Sequence, residues 1–160
     1  MVSLDFLERM EVFKDLDDEQ LKAIQVCCRE VEFKRGEKIF GAGEEPNYLW
    51  TVKEGQVNLR QESDAASILE NVTITSLSET MTFGWSSLVP PCKHTLSAYC
   101  TSRICKVISV EKQCLIGLFE KDMKIGYRVM SKLIPVVGKR FQQLQDEVAN
   151  RRGHEIINQW

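Results

Sequence analysis

The chain has 160 residues, enough for one domain with a sizeable core, and its 43% hydrophobic and 28% charged residues are ordinary globular composition. Twenty-one basic residues against 23 acidic ones leave a formal net charge of −2, which argues against a nucleic-acid binder that works by broad phosphate neutralisation. No apolar run reaches the roughly 18 residues of a membrane span, and Met1–Asp5 lacks the basic and apolar regions of a signal peptide. The expectation is a cytoplasmic protein with neither a membrane nor a nucleic-acid partner.

Six cysteines stand at positions 27, 28, 92, 100, 105 and 114, with no C-x-x-C pair among them. Only two histidines, His94 and His154, could join them, and neither has a partner at ligand spacing, so no metal site is expected. Reduced thiols packed as small hydrophobes are the expected state of the cysteines, and surface positions that of the two histidines.

The first thirty residues read as helical. Ser3 can cap a short turn carrying Leu4, Phe6, Leu7 and Met10. Asp17 with Gln20 three residues on makes a capping box before Leu21, Ile24, Cys28 and Val31, whose spacing puts one apolar stripe on a helix face.

From about residue 30 to 109 the pattern changes to short extended pieces. Val31-Glu32-Phe33 alternates, Arg35-Gly36-Glu37 turns, Lys38-Ile39-Phe40 extends, and Gly41 to Pro46 turns again. Tyr48 to Val52 and Gln56 to Leu59 flank Glu54-Gly55, where a hairpin wants positive φ. Glu62 to Ser67 reads as an exposed loop. Val72 to Ile74, Met81 to Phe83, Thr95 to Cys100 and Ile104 to Ile108 complete about eight strands, a pattern that suggests an antiparallel barrel or jelly roll.

The end is helical again. Ser109 can cap a short helix bearing Leu115, Leu118 and Phe119, and a longer helix runs from about Asp122 to Asn150, about 40 Å at 1.5 Å per residue. Along it Met130, Ile134, Val137, Phe141, Leu144 and Val148 recur at spacings of 4, 3, 4, 3 and 4, with Lys139, Arg140, Asp146 and Glu147 outside that seam. Pro135 should kink or restart the helix. The seam either packs on the chain's own barrel or pairs with a second copy, and a homodimer through this helix is the expectation carried forward.

The segment from Phe33 to Gly55 resembles the cyclic nucleotide-binding domain family. The residues that carry the likeness are Phe33, Gly36-Glu37, Ile39-Phe40, Gly43-Glu44, Leu49-Trp50, Val52 and Gly55, all in register. Phe83-Gly84, Thr95 to Ala98 and the helices at both ends extend it over about residues 4 to 150. The resemblance implies an α+β fold, mainly β: an antiparallel β-roll with an N-terminal helical bundle and a long C-terminal helix. Residues 1–150 would be one domain, with the roll at about 30–109, helices at about 110–150 and a tail at 151–160. No DNA-binding module of the kind found in related transcription factors is expected after the long helix.

The resemblance also implies a ligand site, the phosphate-binding cassette. There a glycine-glutamate pair opens a short helix, its amides and an arginine hold the cyclic phosphate, and the glutamate takes the ribose hydroxyl. The matching residues here are Phe83, Gly84, Trp85, Ser86, Ser87, Leu88, Cys92, Lys93, His94 and Thr95. Trp85 stands where the glutamate belongs, and an indole N–H cannot accept from a hydroxyl. Cys92 falls on the arginine position, with Lys93 beside it as a point charge rather than a fork.

With no P-loop, G-x-S-x-G or dinucleotide glycine pattern, no catalytic residue or cofactor is assigned and no enzyme activity is expected. Two functions are weighed. The first is a stand-alone sensor that binds a small anionic ligand, such as cyclic AMP, weakly or in an altered way, and signals through its C-terminal helix. The second is a ligand-free dimerisation or protein-interaction module with Trp85 filling the pocket. Family resemblance places the sensor first.

Overall fold

The computed structural model describes residues 1–62, 72–90 and 92–158, with side chains described as far as Arg151. Two short helices, α1 (Leu4–Arg9) and α2 (Asp18–Gln25), lead into eight strands: β1 (Cys28–Lys34), β2 (Lys38–Phe40), β3 (Tyr48–Glu54), β4 (Val57–Gln61), β5 (Val72–Leu77), β6 (Thr82–Phe83), β7 (Ser97–Cys100) and β8 (Ile104–Glu111). Helices α3 (Lys112–Lys121) and α4 (Met123–Asn158) follow. The strands pair antiparallel in two four-stranded sheets, ordered β1-β8-β3-β6 and β2-β7-β4-β5.

The expected caps close the N-terminal helices. Ser3 Oγ accepts from the amide of Phe6 at 3.3 Å, and Asp17 and Gln20 form the reciprocal box at 2.9 and 3.1 Å. The stripe running on to Cys28 and Val31 is corrected: α2 stops at Gln25, and both residues belong to β1, where pairing with β8 takes over the backbone. Ser109 caps nothing, because β8 runs on to Glu111, which opens α3 without a side-chain cap. Gly55 does have the positive φ its turn requires (89°), and a Cβ there would stand 2.4 Å from the carbonyl oxygen of Ile104.

Alternation along the β1-β8-β3-β6 sheet sorts two cores. Trp50, Val52, Cys105 and Val107 face into the roll with Val57, Leu59, Leu77, Phe83 and Ala98. Leu49, Ile108 and Val110 face the helices, meeting Phe6, Leu7, Phe13, Leu21 and Ile24 from one end and Leu115, Ile125, Val129 and Leu133 from the other. Each such side chain contributes about 1.5–3 kcal/mol by leaving water, so the helices and the roll form one packed unit.

Two further expectations are corrected. Cys27 and Cys114 are joined in a disulfide, with Cα atoms 5.6 Å apart across 87 residues; only the fold brings such distant positions together. Cys28, Cys100 and Cys105 are buried free thiols, as expected, and Cys92 is half-buried. Pro135 does not restart the long helix, which runs through it to Asn158; it forgoes only its own bond to the turn before. The tail expected from residue 151 is helical as far as Asn158, and residues 63–67 of the loop expected over Glu62 to Ser67 lie outside the described residues.

Candidate functional site

The cassette begins where β6 ends. Gly84 takes a left-handed conformation (φ 71°), and a Cβ there would lie 2.7 Å from Cδ1 of Trp50, so only glycine fits. A single 3-10 turn, Trp85–Ser87, follows. Its own bonds, Ser87 N–H to Gly84 O at 3.3 Å and Leu88 N–H to Trp85 O at 2.9 Å, occupy two of the four amides on which an anion would rest.

The return leg is tied to the β2–β3 turn by backbone bonds from Gly43 N–H to His94 O (2.7 Å) and from His94 N–H to Glu44 O (3.3 Å). Next to it, Ser97 Oγ accepts from Ala42 N–H at 2.9 Å and donates to Glu62 at 2.8 Å. The Tyr99 hydroxyl also donates to Glu62 and, with Ser97, holds that carboxylate below its ordinary range against the opposing effect of burial. Glu62 is therefore half-buried and paired rather than part of an exposed loop.

His94 is not on the surface. It is 6% exposed and stacks on Phe40, with ring centroids 3.7 Å apart and planes within 9°. Phe40 in turn lies 5.9 Å from Phe83, which lies 6.4 Å from Trp50, so an aromatic row crosses the roll interior. The turn at Gly43 swings the return leg inward, and the flat imidazole finds an apolar partner there. Burial lowers its pKa, with the Glu44 carboxylate pulling the other way, so the ring is neutral at physiological pH.

What remains open in the cassette is a cavity of about 30 Å³, lined by Phe40, Leu59, Gly84, Trp85, Ser86, His94, Thr95 and Leu96. That is room for one or two waters. Phe40, His94 and Phe83 fill the roll in place of Trp85, which forms part of the cavity wall and packs against the helical core. Cys92 and Lys93 do not line the cavity; Cys92 sits at positive φ (56°) and is half-buried, and Lys93 is exposed. Ser87 is fully buried, and its hydroxyl has no partner among the described residues. Leu88 packs toward the helices. Among the described residues no permanently charged side chain reaches the cavity, and no cluster of three or more metal-ligating groups occurs.

Helix α4 separates two faces. Ile125, Val129, Leu133, Val136 and Arg140 are buried against the chain's own core. The seam is divided: Ile134 (67% exposed), Phe141 (62%) and Val148 stand out, Leu144 is half-buried, and Met130 and Val137 are half-buried against the chain's own core. The stripe begins earlier than expected, since the exposed Met123 and Tyr127 prolong the 4-3 spacing. Val89 of the cassette shares a groove with Met130, Ile134, Val137 and Phe141, so the cassette abuts this face.

Arg140 is the residue that sequence reading misses. It is 3% exposed, its Nη2 donates to Thr82 O and its Nη1 to Gln143 Oε1, both at 3.4 Å, and its Nε has no partner among the described residues. Burial lowers its pKa while Glu11 opposes the shift. Glu11 also accepts from the Thr82 amide at 3.0 Å, so Arg140 joins α4 to β6 at the entrance of the cassette. The signal was its place on the 125-129-133-136-140 spacing.

Residues 30–122 match the family model described as the cyclic nucleotide-binding domain. Similar solved structures include a protein of Geobacter metallireducens GS-15 described as a cyclic nucleotide-binding protein (29% identity, 88% of this chain and 99% of that one, TM-score 0.75). Two others are similar in fold. One is a triple mutant of the regulatory subunit of a cAMP-independent protein kinase A from Trypanosoma brucei, bound to cAMP (16%, 91% and 50%, 0.73). The other is the catabolite activator protein of Thermus thermophilus (18%, 89% and 63%, 0.70). A search of curated proteins found no match. Among the described residues no helix is long and apolar enough to cross a membrane.

Proposed function

Since this chain belongs to the cyclic nucleotide-binding domain family, whose members are regulatory modules rather than catalysts, we propose that it acts as a homodimeric regulator whose cassette is filled by its own side chains. The observation that carries this reading is the cavity of about 30 Å³ behind the Phe40–His94 stack. A nucleotide needs several hundred Å³, a carboxylate for the ribose and a permanent cation for the phosphate. Trp85, Cys92 and a neutral His94 supply none of these. The working surface is then the apolar stripe of α4 from Met123 to Val148, which a second copy covers by heptad packing.

Light scattering on the full chain, with and without millimolar cyclic AMP, tests this. The expected result is a dimer of the same mass in both cases. A monomer, or a dimer that forms only with nucleotide, contradicts it.

A second reading keeps the sensor. Gly84 retains the left-handed entry to the cassette turn, and the Ser86 and Thr95 residues line the cavity. A small anionic ligand such as cyclic AMP would enter by displacing His94, bind weakly, and act on α4 through Val89. Lys93, exposed beside His94 on the return leg, would supply the ammonium.

A further inference from the structure

Disulfide Cys27–Cys114 joins the turn before β1 to the first turn of α3. Cys27 sits between α2 and β1; its amide donates to Ile24 O at 2.9 Å, and its carbonyl accepts from the Glu111 amide at 3.0 Å. Cys114 lies in the first turn of α3. That helix follows β8 without a linker, and only Asp122 separates it from α4. Helix α3 is thus the covalent link between the roll and α4.

Helix α3 packs Leu115 into the helical core, with Leu118 and Phe119 half-buried against it. Leu115 is its one buried residue, and its N-terminus has no side-chain cap. Its other end moves with α4: the ring of Phe119 packs on Gly126, where an added Cβ would stand 3.2 Å away. So α3 is fastened to α4 at Phe119, and the disulfide at Cys114 adds a covalent tie to the packing of Leu115 and Leu118.

The pairing is also insulated. Cys28 neighbours the bond, yet its thiol is buried, donates to Ile24 O at 3.3 Å and has its pKa pushed up to about 12 by burial, so it does not exchange with the disulfide. Cys100 and Cys105 are buried in the roll core. Cys27 itself is 4% exposed. Cys114 is half-buried, and Cys27 borders an open groove with Arg29, Tyr48, Trp50 and Glu111.

We propose that Cys27–Cys114 is a redox clamp that fixes α3, and with it the base of α4, to the roll, and that a dithiol reductant releases it. One thiolate of the dithiol attacks Sγ of Cys114, the less buried residue of the pair, and Cys27 leaves as a thiolate that takes up a proton. The second thiol of the reductant then attacks its own sulfur in the mixed disulfide and frees Cys114. Two electrons and two protons pass to the cysteine pair, and the reductant departs as a disulfide. Oxidation by a disulfide of the same class reverses the steps.

The test is amide hydrogen exchange on the full chain, oxidised and then reduced with dithiothreitol, with alkylation and mass spectrometry to count free thiols at positions 27 and 114. Reduction is expected to speed exchange in α3 and the first turns of α4 by about tenfold or more while the strands keep their protection. Cys114→Ser and Cys27→Ser chains should show the fast pattern with or without reductant. Unchanged α3 protection after both thiols are shown to be free overturns the proposal. So does loosening spread evenly over the roll, which marks a staple of the whole fold. So does failure of the two thiols to pair under a glutathione disulfide buffer.

Discussion

Phe40 and His94 lie face to face at 3.7 Å and line the cavity of the cassette. Burial of the imidazole disfavours its charged form and holds its pKa down, with Glu44 opposing. The unfolded chain protonates near the ordinary value of about 6.5. Because the folded pKa is lower, stability is complete above the unfolded value and falls as the pH drops toward the folded one. The melting temperature should decline below about pH 6.5. A His94→Phe chain, which keeps the stack and removes the titration, should lose that part of the decline. Identical pH profiles for both chains would remove His94 from the account.

Arg140 gives the second prediction. It is buried with an unpartnered Nε and two long hydrogen bonds, so its desolvation is poorly offset. Arg140→Met should leave stability unchanged or raise it by about 1 kcal/mol, whereas Arg140→Ala, which opens a void, should cost about 2 kcal/mol or more. Chemical denaturation measures both. A Met chain destabilised as much as the Ala chain would mean that the ties to Thr82 and Gln143 outweigh the burial cost.

A third prediction concerns Gly84, where φ is 71° and a Cβ would press on the Trp50 ring. Gly84→Ala should cost more than the roughly 1–2 kcal/mol of left-handed strain alone. Gly36→Ala, at φ 85° with open space around it, should cost only that strain. Equal losses in a denaturation experiment would show that the contact with Trp50 relaxes freely.

Much of this fold was legible because the signals are local. The Asp17–Gln20 box, the Gly55 turn and the alternation around Trp50 each depend on residues a few positions apart. The misses are non-local. Cys27 and Cys114 meet across 87 residues, and nothing near either one marks it as paired. His94 stands between Lys93 and Thr95, so its neighbours read as surface, while its backbone is tied to Gly43 and Glu44 fifty positions away. Ser109 failed as a cap because the β8 ladder continues two residues past it. The cassette was located by Phe83-Gly84, yet its filling by Phe40 comes from a strand more than forty positions away.

The two faces of α4 supply a fourth prediction. Phe141→Asp with Leu144→Asp should give a folded monomer, since each apolar side chain buried in a dimer contributes about 1.5–3 kcal/mol and two-fold symmetry doubles the loss. Leu133→Asp, on the buried face, should instead unfold the chain. Circular dichroism and light scattering separate the cases. Unfolding of the Phe141/Leu144 chain would place the seam on the protein's own core.

Isothermal titration of the full chain with cyclic AMP tests the central claim most directly. Two absent charge-assisted anchors, at about 1.5–3 kcal/mol each, weaken binding by two to four orders of magnitude before the cost of displacing His94 is added. The account predicts no saturable heat at micromolar nucleotide. Stoichiometric binding with a micromolar or tighter Kd would contradict it.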